Sequence, residues 1–446
     1  MSLAGQAGRR RFSTGSGGFV GASESHRSGL QSAIIAMPSV TPNYALQRGS
    51  VRHGTCFRRR LSARHAGAAP HSAVAELGVV RPLAHVQHMR RRLFIGLLIG
   101  LPMLSFAQAS PPAARTQLGV AHIGGLYSFS ETDYLNEGAA MAHAIGARCI
   151  KVSLSLDTDN PSPKLYPFHS QWPTVTTLEA LADTPHYRAL FAREFDTFIL
   201  TAFRPGHSAG YWRESFSPAD EQAEEECFAS LTRHLLRTYA QTRKTFIIQN
   251  WEGDWALCGS FDPATKPTQA ATAAMIRWLA ARQRGVARAR AEFATGGARV
   301  FHACEVNLVR QAMEQGSPSV TTDVLPHVPV DLASYSGWDT KDAPTRFGEA
   351  LAFIAKHKRP TEPFGEHGVY VGEFGLPESE GTPQQVLERT AELLTVAQRF
   401  GCPYAVYWQL YCNEPTTKPP KVNADYKGFW LVRPDGTRSL VCQLFQ

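Results

Sequence analysis

Two short stretches of this 446-residue chain hold residue types that could do chemistry together. Asn250-Trp251-Glu252-Gly253-Asp254-Trp255 follows one apolar run, and Gly372-Glu373-Phe374-Gly375 closes another. A glutamate flanked by glycine at the end of a buried run is costly to desolvate unless it is used or paired. Two carboxylates beside indole rings suit cleavage of a glycosidic bond: one acid protonates the leaving oxygen while the other, ionised, attacks the anomeric carbon. In that chemistry Glu373 is the nucleophile, Glu252 the acid/base, and Asp254 the stand-in if Glu252 points away. The two glutamates must then hold different protonation states at one pH. Apolar Trp neighbours and the charge of Glu373 should raise the pKa of Glu252.

Other residues fall where a sugar would need them. Asn250 is placed to meet a substrate 2-hydroxyl. Tyr335 is placed to hold an oxygen of the nucleophile, with plain packing as the bland alternative. His122 either binds a hydroxyl or is a satisfied core histidine. Glu305 is a third carboxylate, for substrate binding or for the acid/base role under another strand assignment. Trp408 reads as a sugar platform and Trp251, Trp255 and Trp338 as stacking rings, because flat indole faces cover the apolar faces of sugars. Trp212 also falls in a loop near a strand end. His122 and His302 alone do not supply the ligand set of a metal-dependent hydrolase, so the expected chemistry needs no metal and no organic cofactor.

These residues need a scaffold that brings distant strand ends together. Short apolar runs at 118–123, 149–154, 197–202, 245–249, 299–303, 330–334, 368–372 and 404–409 alternate with amphipathic stretches at 131–145, 219–240, 268–293, 343–357 and 383–400. Continuous rather than alternating apolarity is what parallel strands buried on both faces show. Pro218 and Pro383 stand near helix starts, and Gly146 and Gly401 fall just past helix ends. Eight strand–helix units predict a (β/α)8 TIM barrel, in which the strand ends converge on one mouth. An open doubly wound sheet is the competing fold, but Gly124-Gly125 does not meet the G-x-G-x-x-G phosphate loop.

With that frame, the chain resembles clan A, the retaining glycoside hydrolases with (β/α)8 barrels that include many cellulases, mannanases and β-glycosidases. The likeness covers residues 118–440. Gly372-Glu373-Phe374-Gly375 is similar to the nucleophile strand of the cellulase-like families, and Trp408 to the clan's platform tryptophan. The tail Gly428-Phe429-Trp430-Leu431-Val432-Arg433-Pro434-Asp435-Gly436-Thr437 resembles the closing segment. The resemblance implies a retaining mechanism on β-linked sugars. Two departures leave the particular family open. Trp251 intervenes between Asn250 and Glu252, where the clan has Asn directly before Glu. A bulge could re-aim Glu252, and plain alternation would also turn it inward with Asn250. Lys151 stands nearest to where the clan carries an arginine on strand two.

Charge is divided along the chain. Residues 1–109 hold 14 Lys+Arg and two acids, Glu24 and Glu76, whereas the remainder has 32 bases and 36 acids. The basic character belongs to the leader, which removes the main support for a nucleic-acid partner. Met89-Arg90-Arg91-Arg92, an apolar run to Phe106 and Ala107-Gln108-Ala109 form the three parts of a signal peptide. Residues 1–88 read as an upstream extension from an over-extended start, 89–109 as the signal and 110–446 as the barrel. The expectation is an exported protein, periplasmic or extracellular, with a carbohydrate partner and no membrane association after cleavage. Seven of the eight cysteines lie beyond the signal without C-x-x-C spacing, and Cys149, Cys304 and Cys402 read as small buried hydrophobes. A non-catalytic carbohydrate-binding barrel is the alternative function: it needs the rings but not the facing glutamates.

Overall fold

A computed structural model describes residues 116–293, 296–365 and 368–446. The leader and signal segments lie outside the described residues. The strands are β1 (Gln117–Ala121), β2 (Cys149–Ser153), β3 (Thr197–Thr201), β4 (Thr245–Gln249), β5 (Arg299–Val306), β6 (Leu332–Ser336), β7 (Val369–Phe374) and β8 (Tyr404–Tyr407). Each pairs in parallel with the next and β8 pairs with β1, closing an eight-stranded barrel. Around it run α1 (Tyr134–Ile145), α2 (Ser162–Leu165), α3 (Leu178–Ala182), α4 (Pro185–Ala192), α5 (Pro218–Thr238), α6 (Gly253–Cys258), α7 (Gln269–Arg290), α8 (Val309–Gln315), α9 (Pro344–His357) and α10 (Pro383–Phe400). This is the (β/α)8 architecture the eight runs predict.

Local chemistry explains the element ends. Ser217 and Asp220 form a reciprocal capping box at the start of α5, as do Thr382 and Gln385 at α10, each with proline in the first turn. Gly146 and Gly401 take the left-handed conformation just past α1 and α10. The first helix begins at Tyr134, not at 131, because the Asp133 side chain accepts the Asn136 N–H as its cap. At the mouth β5, β6 and β7 run past their apolar runs, whereas β1, β2, β3 and β8 stop one or two residues short of theirs. β5 extends through Val306, where Glu305 pairs with Ser334 and Val306 with Tyr335. β6 begins two residues later than expected, at Leu332, because the Asp331 carboxylate is turned to the His302 N–H and to Arg290.

Alternation sorts the strand residues into two cores. Outward side chains such as Ile150, Phe198, Phe246, Cys304 and Val371 pack under the helices. Inward ones, among them Cys149, Ile199, Ile247, Phe301, Leu332 and Tyr404, fill the barrel. Nearer the mouth the same inward rows turn polar: Lys151 follows Cys149, Gln249 follows Ile247, and Glu305 follows Ala303. The register between β6 and β7 shifts after Tyr335, with Ser336 opposite Glu373 rather than Gly372. That extra residue turns Glu373 into the barrel, where strict alternation from the outward Val371 would have turned it out. Gly372 must be glycine at this point, since a Cβ there would meet Ser334 Oγ at 1.9 Å. Cys149, Cys304 and Cys402 are buried thiols, and the seven cysteines among the described residues are unbridged.

Candidate active site

Four inward residues from four strands meet in one buried network. Lys151 on β2 is completely buried; its Nζ donates to Glu373 Oε1 at 2.7 Å and to Glu305 Oε2 at 3.3 Å. Gln249 on β4 donates to the same Glu305 oxygen at 2.9 Å and accepts from the Tyr370 hydroxyl. Burial by itself would discharge the lysine, but Glu305 and Glu373 outweigh it and hold the ammonium above its ordinary pKa.

Glu373 is nearly buried and ringed by donors. Besides Lys151, the Trp251 indole donates to Oε1 at 3.1 Å and the Trp338 indole to Oε2 at 3.0 Å. Three N–H groups aimed at two oxygens are what an anionic carboxylate accepts. Oε1 takes two of these bonds and Oε2 one, so Oε2 is the oxygen with a lone pair to spare. Trp251 and Trp338 are therefore more than stacking surfaces: each holds the carboxylate through its ring N–H.

Glu252 stands just past β4 as the N-cap of α6, in the left-handed conformation with φ 57° and ψ 50°. For a non-glycine residue that backbone costs about 1–2 kcal/mol and needs outside support. Glu305 Oε1 supplies it by accepting the Glu252 backbone N–H at 2.9 Å, and Asn307 donates to Glu252 Oε2 at 3.0 Å. The next residue, Gly253, allows the turn to lie on β5: a Cβ there would meet the Glu305 carbonyl oxygen at 2.0 Å. The turn at Glu252, rather than a strand bulge or simple alternation, sets where this carboxyl goes. Desolvation first, then Glu305 and Glu373, push its pKa well above the ordinary value, against the pull of Lys151. The shift favours the protonated form of Glu252, which is half-buried, and not sealed, at the mouth.

Glu305 is placed deeper than a substrate contact. It is fully buried, and Lys151, Gln249, the Glu252 N–H and, at 3.5 Å, Asn307 surround its two oxygens. Asn250 lies beneath the turn with its side-chain oxygen on the Glu305 N–H at 3.2 Å. Trp408 is almost buried above the barrel core, 6.2 Å from the Trp251 ring and tilted by 33°. Its indole donates to Glu414 at 3.3 Å. Trp338 meets Phe429 edge-on at 5.3 Å, so Trp408 and Phe429 pack against the two indoles that touch Glu373. Trp255 stands apart on α6, against the exposed Phe261 at 5.8 Å.

Several sequence expectations are corrected by direction. Tyr335 does not reach Glu373: it faces outward toward Phe347 and its hydroxyl donates to Asp339 at 2.5 Å. Neighbouring Trp338 makes the bond expected of it. His122 points out of the barrel against α1, where Nε2 meets the Tyr134 carbonyl at 2.9 Å and Gly138 leaves room for the ring. It is fully buried, which lowers its pKa to about 4, and only Nε2 is partnered while Nδ1 has no hydrogen bond, so it is a core histidine but not a fully satisfied one. Asp254 accepts the N–H groups of Asn307, Leu308 and Val320, which ties three loops together and leaves it no part at the mouth. Trp212 is fully buried, stacked on Trp278 at 5.3 Å. Sequence reading missed Lys151, Gln249 and Asn307 as site residues. A lysine within an otherwise apolar strand was the available signal, since a buried ammonium demands partners.

No family model matches the chain, and no curated protein matches it. Solved structures do. An exo-β-1,4-mannosidase from Opitutaceae bacterium strain TAV5 is 14% identical, with a TM-score of 0.46 over 74% of this chain and 58% of that one. A GH5_18 protein from Bifidobacterium longum subsp. longum, in complex with Manb1-4GlcNAc, is 11% identical, with a TM-score of 0.48 over 74% and 77%. A GH5-4 broad specificity endoglucanase from Clostridium acetobutylicum is 10% identical, with a TM-score of 0.43 over 74% and 96%. This chain thus spans little more than half the length of the mannosidase. Likeness this distant carries no argument about fold or chemistry, which rest on the barrel and the site themselves.

Proposed function

We propose that the chain is a glycoside hydrolase that cleaves β-glycosidic bonds with retention, using Glu373 as nucleophile and Glu252 as acid/base. One observation carries the reading. A carboxylate held by three donors and a carboxyl whose proton affinity is raised, each from a different strand end, border one mouth lined by indole rings. In the first step a lone pair of Glu373 Oε2 forms the bond to the anomeric carbon. The glycosidic C–O electrons leave on the departing oxygen, which takes the Glu252 proton. Glu252, now ionised, draws a proton from water as that water attacks the anomeric carbon and releases Glu373. The Trp338 and Trp251 donors keep Glu373 oriented through both steps. Retention requires the two carboxyl groups ~5–5.5 Å apart.

The expected location is outside the cytoplasm, with cleavage after Ala109. Mass measurement of the exported chain checks that point: an N-terminus other than Ser110 overturns it.

Hydrolysis of a panel of aryl β-glycosides tests the function. Glu373→Gln should lose at least about 10⁴-fold in kcat/KM. Glu252→Gln should lose about 10²–10⁴-fold on poor leaving groups and far less on acidic phenols that depart without a proton. Product anomers followed by NMR must show retention. Inversion would sink the double displacement. Binding of oligosaccharides with no turnover would make the protein a carbohydrate-binding barrel.

A further inference from the structure

We propose that Glu305 is a positioning residue, the standing counter-ion of the site. It keeps Lys151 paired while Glu373 carries the sugar, and it holds Glu252 in its left-handed turn. The inference rests on the roles given above to Glu373 and Glu252.

The argument starts from the sharing of one cation. Lys151 Nζ lies between two carboxylates, 2.7 Å from Glu373 and 3.3 Å from Glu305, with no solvent contact. When Glu373 Oε2 bonds to the anomeric carbon, its negative charge is lost and an equal charge appears on Glu252 as the proton leaves with the departing oxygen. The site keeps its total charge, but Lys151 loses its shorter partner at that moment. A buried ammonium stripped of its partner is costly. Glu305 prevents this because its own charge takes no part in bond making. Donors crowd both of its oxygens, so it has neither a lone pair for substrate nor a path to the leaving group. The arrangement separates it from an acid/base or a sugar ligand.

Its second oxygen acts on the acid. Glu305 Oε1 accepts the Glu252 backbone N–H at 2.9 Å. The charged groups facing Glu252 are Glu305 from β5, Glu373 from β7, Lys151 from β2 and Asp254 from α6. Those facing Glu305 are Lys151, Glu373 and Glu252, with Gln249 and Asn307 as neutral donors; burial raises its own pKa to about 7 against the pull of Lys151, so it serves as the counter-ion above that pH. After burial, Glu305 is the largest contributor to the raised proton affinity of Glu252, so removing its charge must move the pH at which the acid fails.

The test compares Glu305→Gln and Glu305→Asp in the full chain, on an aryl β-glycoside that the wild type cleaves. Glu305→Gln should shift the alkaline limb of kcat/KM to lower pH by about half a unit or more. It should also lower kcat/KM about 10-fold further than kcat, because formation of the glycosyl-enzyme suffers more than its breakdown. Glu305→Asp keeps the charge and should keep the wild-type limb, whatever its rate. A folded Glu305→Gln enzyme whose alkaline limb coincides with wild type overturns the proposal. If that variant does not fold, Gln249→Met serves instead. It deletes the 2.9 Å donor to Glu305, so Glu305 holds a proton to higher pH and the limb must again fall; an unmoved limb is the overturning result. Turnover surviving in Glu373→Gln would overturn the underlying reading instead.

Discussion

Charge gathers in two places on this molecule, and the difference between them separates chemistry from decoration. On the outer face of α5 and α7, Glu221 pairs with Arg277 and Arg284 at 2.8 Å, and Glu225 pairs with Arg284 and Arg288 at 2.8 and 3.1 Å. At the barrel mouth one lysine serves two glutamates. The pair distances are alike, but the surroundings are not. The outer side chains keep between 22% and 48% of their exposure, whereas Lys151 and Glu305 keep none. In water the attraction of a pair is largely offset by lost hydration and side-chain entropy. Inside the barrel each charge depends on its partners, and removing one leaves the others uncompensated. Only the second arrangement can shift a neighbour's pKa far enough to poise an acid.

Breaking the contrast at its strongest point means removing the shared cation. Lys151→Met leaves Glu305 and Glu373 facing each other without a counter-charge, and should cost about 3–5 kcal/mol of unfolding free energy. Chemical denaturation at pH 7 checks this, and a loss below about 1 kcal/mol would mean that the network is not what it appears on geometry. The deficit should shrink on acidification, as one carboxylate takes up a proton.

A buried group whose nearby acid, Asp133, does not offset its desolvation sharpens the comparison. His122 has its pKa lowered by burial to about 4, against 6.5 unperturbed. Between those values the unfolded chain binds the proton that the folded chain refuses. The stabilisation is therefore complete above pH 6.5 and is lost as pH falls toward 4, amounting to roughly 3 kcal/mol. Unfolding free energies at pH 7 and pH 4, wild type against His122→Gln, should show this difference in slope. Parallel curves would refute it.

The smallest effect belongs to the outer ladder. Arg284→Ala removes contacts to both Glu221 and Glu225, yet should change stability by only about 0.2–1 kcal/mol. Activity should be unchanged. A loss as large as that of Lys151→Met would erase the distinction between the two regions.

Much of the scaffold was legible because it is written locally. Eight apolar runs, prolines at helix starts and Gly146 and Gly401 at helix ends each report on a few neighbouring residues. The carboxylates Glu252 and Glu373 stood out by their setting at the ends of such runs. Directions were less legible. Tyr335 and Trp338 are three residues apart, and either could have faced the nucleophile; the register shift at β7 and the short helical turn after β6 decided for Trp338. Trp212 looked like a loop aromatic until α7 brought Trp278 over it.

By itself, then, the amino-acid sequence determined the alternation of eight strands with helices and the presence of acids at the strand ends, since hydrophobic period and capping act over a turn or a strand. Only the tertiary structure decided who pairs with whom. Lys151 meets Glu305 across 154 positions of chain and Glu373 across 222. No local rule links residues so far apart; barrel closure does, by aiming alternate side chains of β2 and β5, and Glu373 through the register shift on β7, into one small buried volume.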